Sequence, residues 1–224
     1  MEAKSIEPLV GKRDTNRART TELLLDAAEA LFAENGYHGA GLRDITDLAG
    51  VRLARVTEIF GGKEALFREV FRRRSSIINA DRAAMLESLT ISSDQKQNVR
   101  DLVEAFAKPL LERSNESDGW RNYLRLAAQV STMRMWVLIL IADQFNPMAL
   151  LFIEKMREIF PEASDALLYS AYSFLVSTNM TVFSDNRRVN SISDGRLKSE
   201  DFDDRYEIAV NFLTHGIYGL CQSN

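Results

Sequence analysis

Residues 42–66 read LRDITDLAGVRLARVTEIFGGKEAL, and this stretch decides the fold. Its apolar residues recur every three or four positions on both sides of Gly50, which is the spacing of a buried helix face. Glycine interrupts the pattern at Gly50 and again at Gly61-Gly62. The spacing therefore predicts two short helices joined by a tight turn, followed by a further helix that begins near Lys63. Two short helices joined in this way are typical of a helix-turn-helix.

The sequence before this stretch predicts one more helix of the same domain. From Thr20 onward the apolar residues follow a single helical stripe, with Thr20 or Thr21 as the N-cap and Gly36 at the C-terminal end. Residues 1–19 are polar and have no apolar period, so we expect a mobile arm there, either a linker or an arm that reaches a phosphate backbone. The three-helix domain is predicted to span residues 20–66.

The third helix has an outward face that a DNA duplex could accept. In a helix-turn-helix, the second helix braces the third so that its exposed side fits a major groove about 12 Å wide. Apolar residues are expected to face inward: Ile45, Ala49, Val51, Val56, Ile59 and Phe60. The outward positions are then Arg52, Leu53, Ala54, Arg55, Thr57 and Glu58. Any three-helix bundle with a glycine turn can show this pattern, so the pattern alone favours DNA binding without establishing it.

Three segments carry a resemblance to a known family. LLDAAEALFAENGY at residues 24–37, LRDITDLAGV at 42–51 and FGGKEAL at 60–66 resemble the first helix, the second helix with its turn, and the entry to the fourth helix of the tetracycline-repressor (TetR) family. The resemblance implies an all-α protein with an N-terminal three-helix helix-turn-helix DNA-binding domain. It also implies a larger C-terminal helical domain for ligand binding and dimerisation, here residues 67–224. Members of the family are usually homodimeric repressors that a small molecule releases from double-stranded operator DNA.

The resemblance also implies roles for single residues. We expect Arg43, Thr57 and Lys63 to hold phosphates, with Lys63 at a helix N-terminus beside backbone donors. Arg52 and Arg55 are the expected base readers, because a guanidinium pairs bidentately with guanine.

The chain departs from the family pattern at three of its positions. Thr57 stands where a tyrosine often contacts a phosphate, and Glu58 places a negative charge near the duplex, unless it accepts from a cytosine amino group. Gly41 stands where a threonine or serine usually caps the second helix. These departures bear on the operator sequence more than on the function.

The C-terminal region predicts further helices near 95–114, 118–132, 134–158, 162–185 and 200–221. Pro147 is expected to kink or split the third of these, and residues 185–199 are expected to form a polar loop. The helices near 162–185 and 200–221 are apolar on more than one face, which requires burial on both sides. The resemblance implies that they pair with a second copy of the chain in a four-helix interface.

An effector pocket is predicted where tryptophan, methionine and other aromatic residues are concentrated. An apolar pocket with few polar groups suits an apolar or aromatic effector, although such residues more often form core. The candidate ligand contacts are Trp120, Tyr123, Trp136, Phe152, Tyr172 and Asn179. We expect ligand binding to move the fourth helix, which links both domains, and so to change the spacing of the two recognition helices.

Composition excludes several other classes of protein. The 224 residues are 46% apolar and 27% charged, too apolar for a disordered chain, and the net charge is −4. The longest apolar run, 135–142, is far shorter than the roughly 20 residues of a membrane span, and the single Cys221 forms no intrachain disulfide. These features predict a cytoplasmic protein. No cofactor, metal or catalytic site is expected, and His38, His215 and Cys221 lack metal-ligand spacing. A helical protein-interaction module is the alternative, and an enzyme with a buried carboxylate pair is less favoured.

Overall fold

The computed structural model describes residues 12–133 and 135–222, with the side chains of 12–13 and 135–141 left out. The described part of the chain is all-helical, without strands. Its helices are α1 Lys12–Gly39, α2 Leu42–Ala49, α3 Ala54–Phe60, α4 Lys63–Ser88, α5 Gln95–Ser114, α6 Asp118–Ser131, α7 Met135–Ile159, α8 Asp165–Phe183, α9 Arg188–Ile192 and α10 Phe202–Gln222. The all-α fold predicted from the sequence is confirmed.

The chain divides into two compact units, Met1–Val70 and Phe71–Asn224. The division falls inside α4, four residues beyond the predicted boundary at Leu66. The first unit has a small apolar core to which α1, α2, α3 and the start of α4 all contribute. Its fully buried members include Leu24, Phe32, Ile45, Val56 and Phe67. Phe32 and Phe67 meet edge to face, with ring centroids 5.0 Å apart, so the core fixes α1 against α4.

Helix α1 differs from the sequence prediction at its start. It begins at Lys12, so the prediction of an irregular arm through residue 19 is wrong for residues 12–19, while residues 1–11 lie outside the described residues. The hydroxyls of Thr20 and Thr21 donate to the carbonyls of Asn16 and Arg17, four residues earlier, rather than capping a helix start. The predicted end is confirmed, because Gly36 interrupts the helical backbone with a φ of 67°.

The second unit has its own core, built by α5, α6, α7, α8 and α10 with the rest of α4. Helix α10 packs against α5 and α8, and α6 packs against α8. Phe106 of α5 and Phe152 of α7 meet at a centroid distance of 5.3 Å in the middle of this core. The unit therefore has the apolar interior expected of a larger helical domain.

Two sequence predictions for this unit are partly wrong: Pro147 does not split its helix, while a kink there stays a prediction, and residues 185–199 are not entirely loop. Helix α7 runs as one element through Pro147, and the carbonyl of Gln144, in the turn before the proline, accepts a hydrogen bond from Nδ2 of Asn79 at 2.8 Å. A side chain thus supplies a partner in the turn that the proline disturbs. The predicted polar loop contains the short helix α9. None of the described helices is long and apolar enough to cross a membrane.

Candidate DNA-binding surface and effector cavity

The turn between α2 and α3 is built around Gly50. This residue adopts a left-handed conformation, φ 66° and ψ 32°, and its N–H donates to the carbonyl of Asp47. A side chain is disfavoured in this conformation, which explains the glycine. The next N–H, that of Val51, donates to the carbonyl of Thr46 at 3.0 Å. These bonds close the C-terminal end of α2 and fix the direction in which the chain enters α3.

Burial on α3 follows the predicted division into two faces. Val56 is completely buried, as is Ile45 on α2, while Ile59 and Phe60 are partly buried. Ala54, Thr57 and Glu58 on the opposite face of α3 are exposed. Arg52 and Leu53 are also exposed, but they lie in the turn before α3, whereas the sequence predicts them on the helix. Arg55 is half-buried on α3. The turn and the short helix together therefore present two arginines, a threonine, a glutamate and small or apolar side chains to solvent.

Arg55 and Glu58 form an ion pair on this surface. Nη1 of Arg55 lies 2.6 Å from Oε2 of Glu58, one helical turn away. Both side chains are substantially exposed, so water screens the pair and its contribution to stability is small. The pair occupies one nitrogen of the Arg55 guanidinium.

Lys63 and Arg43 each lie at the start of a helix in the first unit, Lys63 on α4 and Arg43 on α2. Gly61 caps α3 with a φ of 85°, and Lys63 is the first residue of α4. The Lys63 ammonium lies 4.8 Å from the ring centroid of Tyr37, and partial burial lowers the pKa of this lysine from its ordinary value. Tyr37 thus holds the cation at a helix N-terminus, where backbone donors also favour an anion. Arg43 is exposed in the first turn of α2.

The arginine run that follows in α4 has mixed surroundings. Arg72 is exposed, while Arg73 and Arg74 are partly buried. The guanidinium of Arg74 stacks 4.6 Å from the ring centroid of Trp120 in the second unit. The three side chains therefore do not form one basic face.

The second unit has a partly open cavity of about 450 Å³, a size suited to a small organic ligand. Most of its wall is apolar: Phe71, Ile78, Phe106, Leu110, Leu124, Ala127, Ala142, Phe145, Ala149, Val176 and Met180. A few polar side chains interrupt this wall: Arg82, Tyr123, Ser131, Asn146 and Tyr172. Helices α4, α5, α6, α7 and α8 all contribute.

The sequence-predicted ligand contacts divide into two groups. Tyr123 and Tyr172 line the cavity, as predicted. Trp120, Phe152 and Asn179 do not, because they are buried in the surrounding core. Trp120 lies beneath the Arg74 guanidinium, Phe152 packs against Phe106, and Nδ2 of Asn179 donates to the carbonyl of Leu175 in its own helix. The side chain of Trp136 lies outside the described residues.

Sequence reasoning missed Arg82, which is the only charged side chain of the described cavity wall. It is 5% exposed, its Nε donates to the Phe106 carbonyl at 3.1 Å, and its guanidinium lies 3.6 Å from the Phe106 ring centroid. Burial lowers the pKa of Arg82 to about 10. A signal was present: Arg82 lies four residues after Ile78 and four before Leu86, on the buried stripe of α4.

Helices α8 and α10 pack against each other and also leave apolar side chains in solvent. Tyr169 and Phe174 of α8 and Ile208 and Phe212 of α10 are each more than half exposed. Gly216 and Gly219 extend the exposed face of α10, and nothing lies within 4 Å of a Cβ placed on either. Because glycine within a helix is unfavourable by about 1 kcal/mol relative to alanine, these two are unexplained by packing within one protomer.

The exposed α3 follows a glycine turn, and the described part of the chain is otherwise helical without strands; this arrangement defines the class of helix-turn-helix proteins. Comparison with known proteins gives the family. Residues 24–70 match the family model of the bacterial regulatory proteins of the tetR family, and residues 104–216, half of the chain, match the tetracyclin repressor-like C-terminal domain. The chain belongs to the TetR family of transcriptional regulators.

Individual relatives agree with this assignment. The HTH-type transcriptional activator FasR of Mycolicibacterium smegmatis is 33% identical over 118 residues, 51% of either chain. The HTH-type transcriptional regulator RutR of Escherichia coli is 32% identical over 90 residues, 40% of this chain and 42% of RutR. The chain thus spans about half the length of the relatives that it matches in sequence.

The fold itself is shared over nearly the whole chain. The structure of the fatty acid degradation regulator FadR from Bacillus halodurans superimposes with a TM-score of 0.61. The superposition covers 95% of this chain and 98% of that one at 16% identity, which shows likeness of fold.

Proposed function

We propose that this protein is a sequence-specific DNA-binding transcriptional regulator that acts as a homodimer and leaves its operator when a small effector fills the cavity. The exposed surface formed by α3 and the turn before it is the observation that carries the proposal. It combines Arg52 and Arg55, which suit guanine, with Leu53 and Ala54, which suit a thymine methyl group. Arg43, Thr57 and Lys63 hold phosphates on either side of that surface.

The second copy of the chain is inferred from α8 and α10. Their exposed aromatic and aliphatic side chains would gain from burial, and Gly216 and Gly219 allow a partner helix to approach closely. A two-fold axis through these helices gives the dimer two recognition helices for two half-sites. The residues 67–224 then serve both dimerisation and effector binding, and residues 20–66 serve DNA binding.

The effector acts through α4 in this proposal. The helix begins at the phosphate-binding Lys63 and continues without interruption to Ile78 and Arg82 in the cavity wall. Ligand that displaces the second half of α4 changes the half-site spacing of the dimer, and a coupling of about 1–3 kcal/mol would weaken DNA binding about 5- to 150-fold. The mostly apolar wall favours an apolar or aromatic effector.

We infer repression as the sign of regulation, following the usual behaviour of the family, although FasR is named an activator. Because bacterial operators lie on the chromosome, the proposal places the protein in the cytoplasm.

Selection of bound fragments from a genomic DNA pool, followed by footprinting of the best fragment, tests the proposal. We expect a two-fold symmetric footprint whose half-sites are centred about one duplex turn apart, roughly 34–36 Å. Matched titrations with the Leu150→Asp variant, altered at an exposed apolar residue of α7, serve as a control that should leave the footprint unchanged. Failure to enrich any fragment, with intact helical folding, would favour the alternative of a protein-interaction module that uses the α8 and α10 face.

A further inference from the structure

Arg82 has an unusual position for a charged side chain. It is 5% exposed, and Nη2 of its guanidinium is buried without a hydrogen-bond partner among the described residues. The group also lacks a carboxylate partner in the described chain: the neighbouring Asp81 pairs with Arg113 instead, at 2.6 Å. A buried charge is strongly unfavourable unless it is paired, so the site is incomplete as it stands.

The surroundings of Arg82 indicate what would complete the site. Its Nε is occupied by the Phe106 carbonyl, and the Phe106 ring covers one side of the guanidinium plane. Tyr123 and Tyr172 add two hydroxyl groups to the same wall. Apart from Ser131 and Asn146, the rest of the wall is aliphatic or aromatic. The cavity therefore combines one cationic fork with a large apolar volume.

We propose that the effector is an amphipathic anion, an apolar body carrying one carboxylate that pairs with Arg82 inside the cavity. This inference rests on the proposed function, because it names the chemical class of the effector for the same pocket. A carboxylate accepts two parallel hydrogen bonds from a guanidinium, and such charge-assisted bonds are about twice as strong as neutral ones. The apolar body displaces water from the remaining wall, and the ion pair gives the site its preference for acids over neutral molecules of the same shape.

Two matched pairs of probes test the inference by calorimetric titration of the full-length protein at neutral pH. Decanoate is compared with 1-decanol, and 2-naphthoate with 2-naphthalenemethanol, so that each pair shares its apolar body and differs in charge. We expect at least one carboxylate to bind about 10- to 100-fold more tightly than its alcohol, the range of a hydrogen-bonded charge. If neither carboxylate binds more tightly than its alcohol, the inference is overturned.

Variants of Arg82 assign the preference to this residue. Arg82→Met should reduce the preference to about twofold or less, because the alcohol keeps its apolar contacts while the acid loses its partner. Arg188→Met is the matched control, since it removes the same charge from an exposed position of the same unit and should preserve the preference. Arg82→Lys keeps the charge but not the two parallel hydrogen-bond donors of the guanidinium. It takes the place of Arg82→Met in the test if Arg82→Met does not fold. A preference that survives both Arg82 variants contradicts the inference.

Titration of the same proteins onto duplex DNA separates this inference from the proposed function. Wild-type protein that binds DNA but shows no preference for the acids disproves only the amphipathic-anion effector. Protein that prefers the acids but binds no DNA disproves the proposed regulator and leaves the anion site in place.

Discussion

The two units of the molecule hold their candidate functional residues in opposite ways. In the first unit, the residues expected to meet DNA lie on the surface within a short stretch of sequence, from Arg43 to Lys63. In the second unit, the cavity residues are mostly buried or partly buried and come from five helices spread between Phe71 and Met180. The surface site is formed by residues that are close in sequence, so a local pattern can reveal it. The cavity forms only once distant helices have packed against one another.

The two units should also differ in how substitutions at their candidate functional residues change the free energy of unfolding. Substitution of exposed side chains away from caps and turns usually changes stability by no more than about 0.5 kcal/mol, so variants on α3 should change function alone. Substitution of a buried cavity residue changes packing or charge burial together with ligand binding. The two units can therefore be told apart by whether function and stability change separately.

The largest effect is expected from breaking the proposed dimer, because both operator binding by the first unit and the effector response of the second unit are proposed to require it. Phe212→Asp places a charge on the exposed apolar face of α10, where the second copy is proposed to bind. We expect a monomer in sedimentation experiments and operator affinity lower by about 10³-fold or more, near nonspecific binding. The unfolding midpoint of the protomer should change little, because Phe212 is 66% exposed. A variant that stays dimeric would remove the proposed interface, with Leu150→Asp as the control for an added charge.

An intermediate effect is expected on base recognition. Arg55→Ala should relax the preference at one base pair of each half-site by about 1–3 kcal/mol, because it removes one bidentate contact with guanine. Competition between operator variants measures this preference. Arg68→Ala is the matched control, since Arg68 also lies on a helix surface and also pairs with a glutamate, at 3.4 Å to Glu64. An unchanged preference in Arg55→Ala would exclude this residue from base reading.

The smallest of these effects is expected from the partner of Arg55. Glu58→Gln frees the Arg55 guanidinium and removes a negative charge from α3. Nonspecific DNA affinity should rise severalfold at low salt, while stability falls by no more than about 0.5 kcal/mol, the usual value of an exposed helical ion pair. Filter binding to mixed-sequence duplex measures the affinity, with Glu87→Gln on α4 as the control. A fall in nonspecific affinity would show that Glu58 assists rather than restrains DNA binding.

Sequence reasoning performed unevenly across the two units, for physical reasons. The Gly50 turn and the two faces of α3 could be predicted because they depend on residues within one or two helical turns. The start of α1 could not, because its first turns expose polar side chains and have no apolar stripe to detect. Near Pro147, the carbonyl of Gln144 accepts a hydrogen bond from Asn79, a partner too distant in sequence for a local pattern to reveal.

The residues of the cavity are harder still to predict from sequence, because the cavity depends on contacts between distant helices. Residue type alone predicts pocket positions for Tyr123, Tyr172 and Phe152, because an aromatic residue suits both a pocket and a core. Tyr123 and Tyr172 line the cavity, whereas Phe152 lies in the core. Arg82 is absent from the sequence-predicted contacts because an arginine is almost never fully buried unless it is paired. Only its i±4 spacing with Ile78 and Leu86 indicated burial.

The central claim is that α3 and its flanking cations bind the DNA backbone and bases. Titration of the protein onto mixed-sequence duplex DNA over a range of salt concentrations tests it most directly. We predict that the logarithm of the binding constant falls linearly with the logarithm of salt, by about 0.9 for each phosphate neutralised. Lys63→Ala and Arg43→Ala should each reduce that slope. A binding constant that does not change with salt, or slopes that both variants leave intact, would contradict the account.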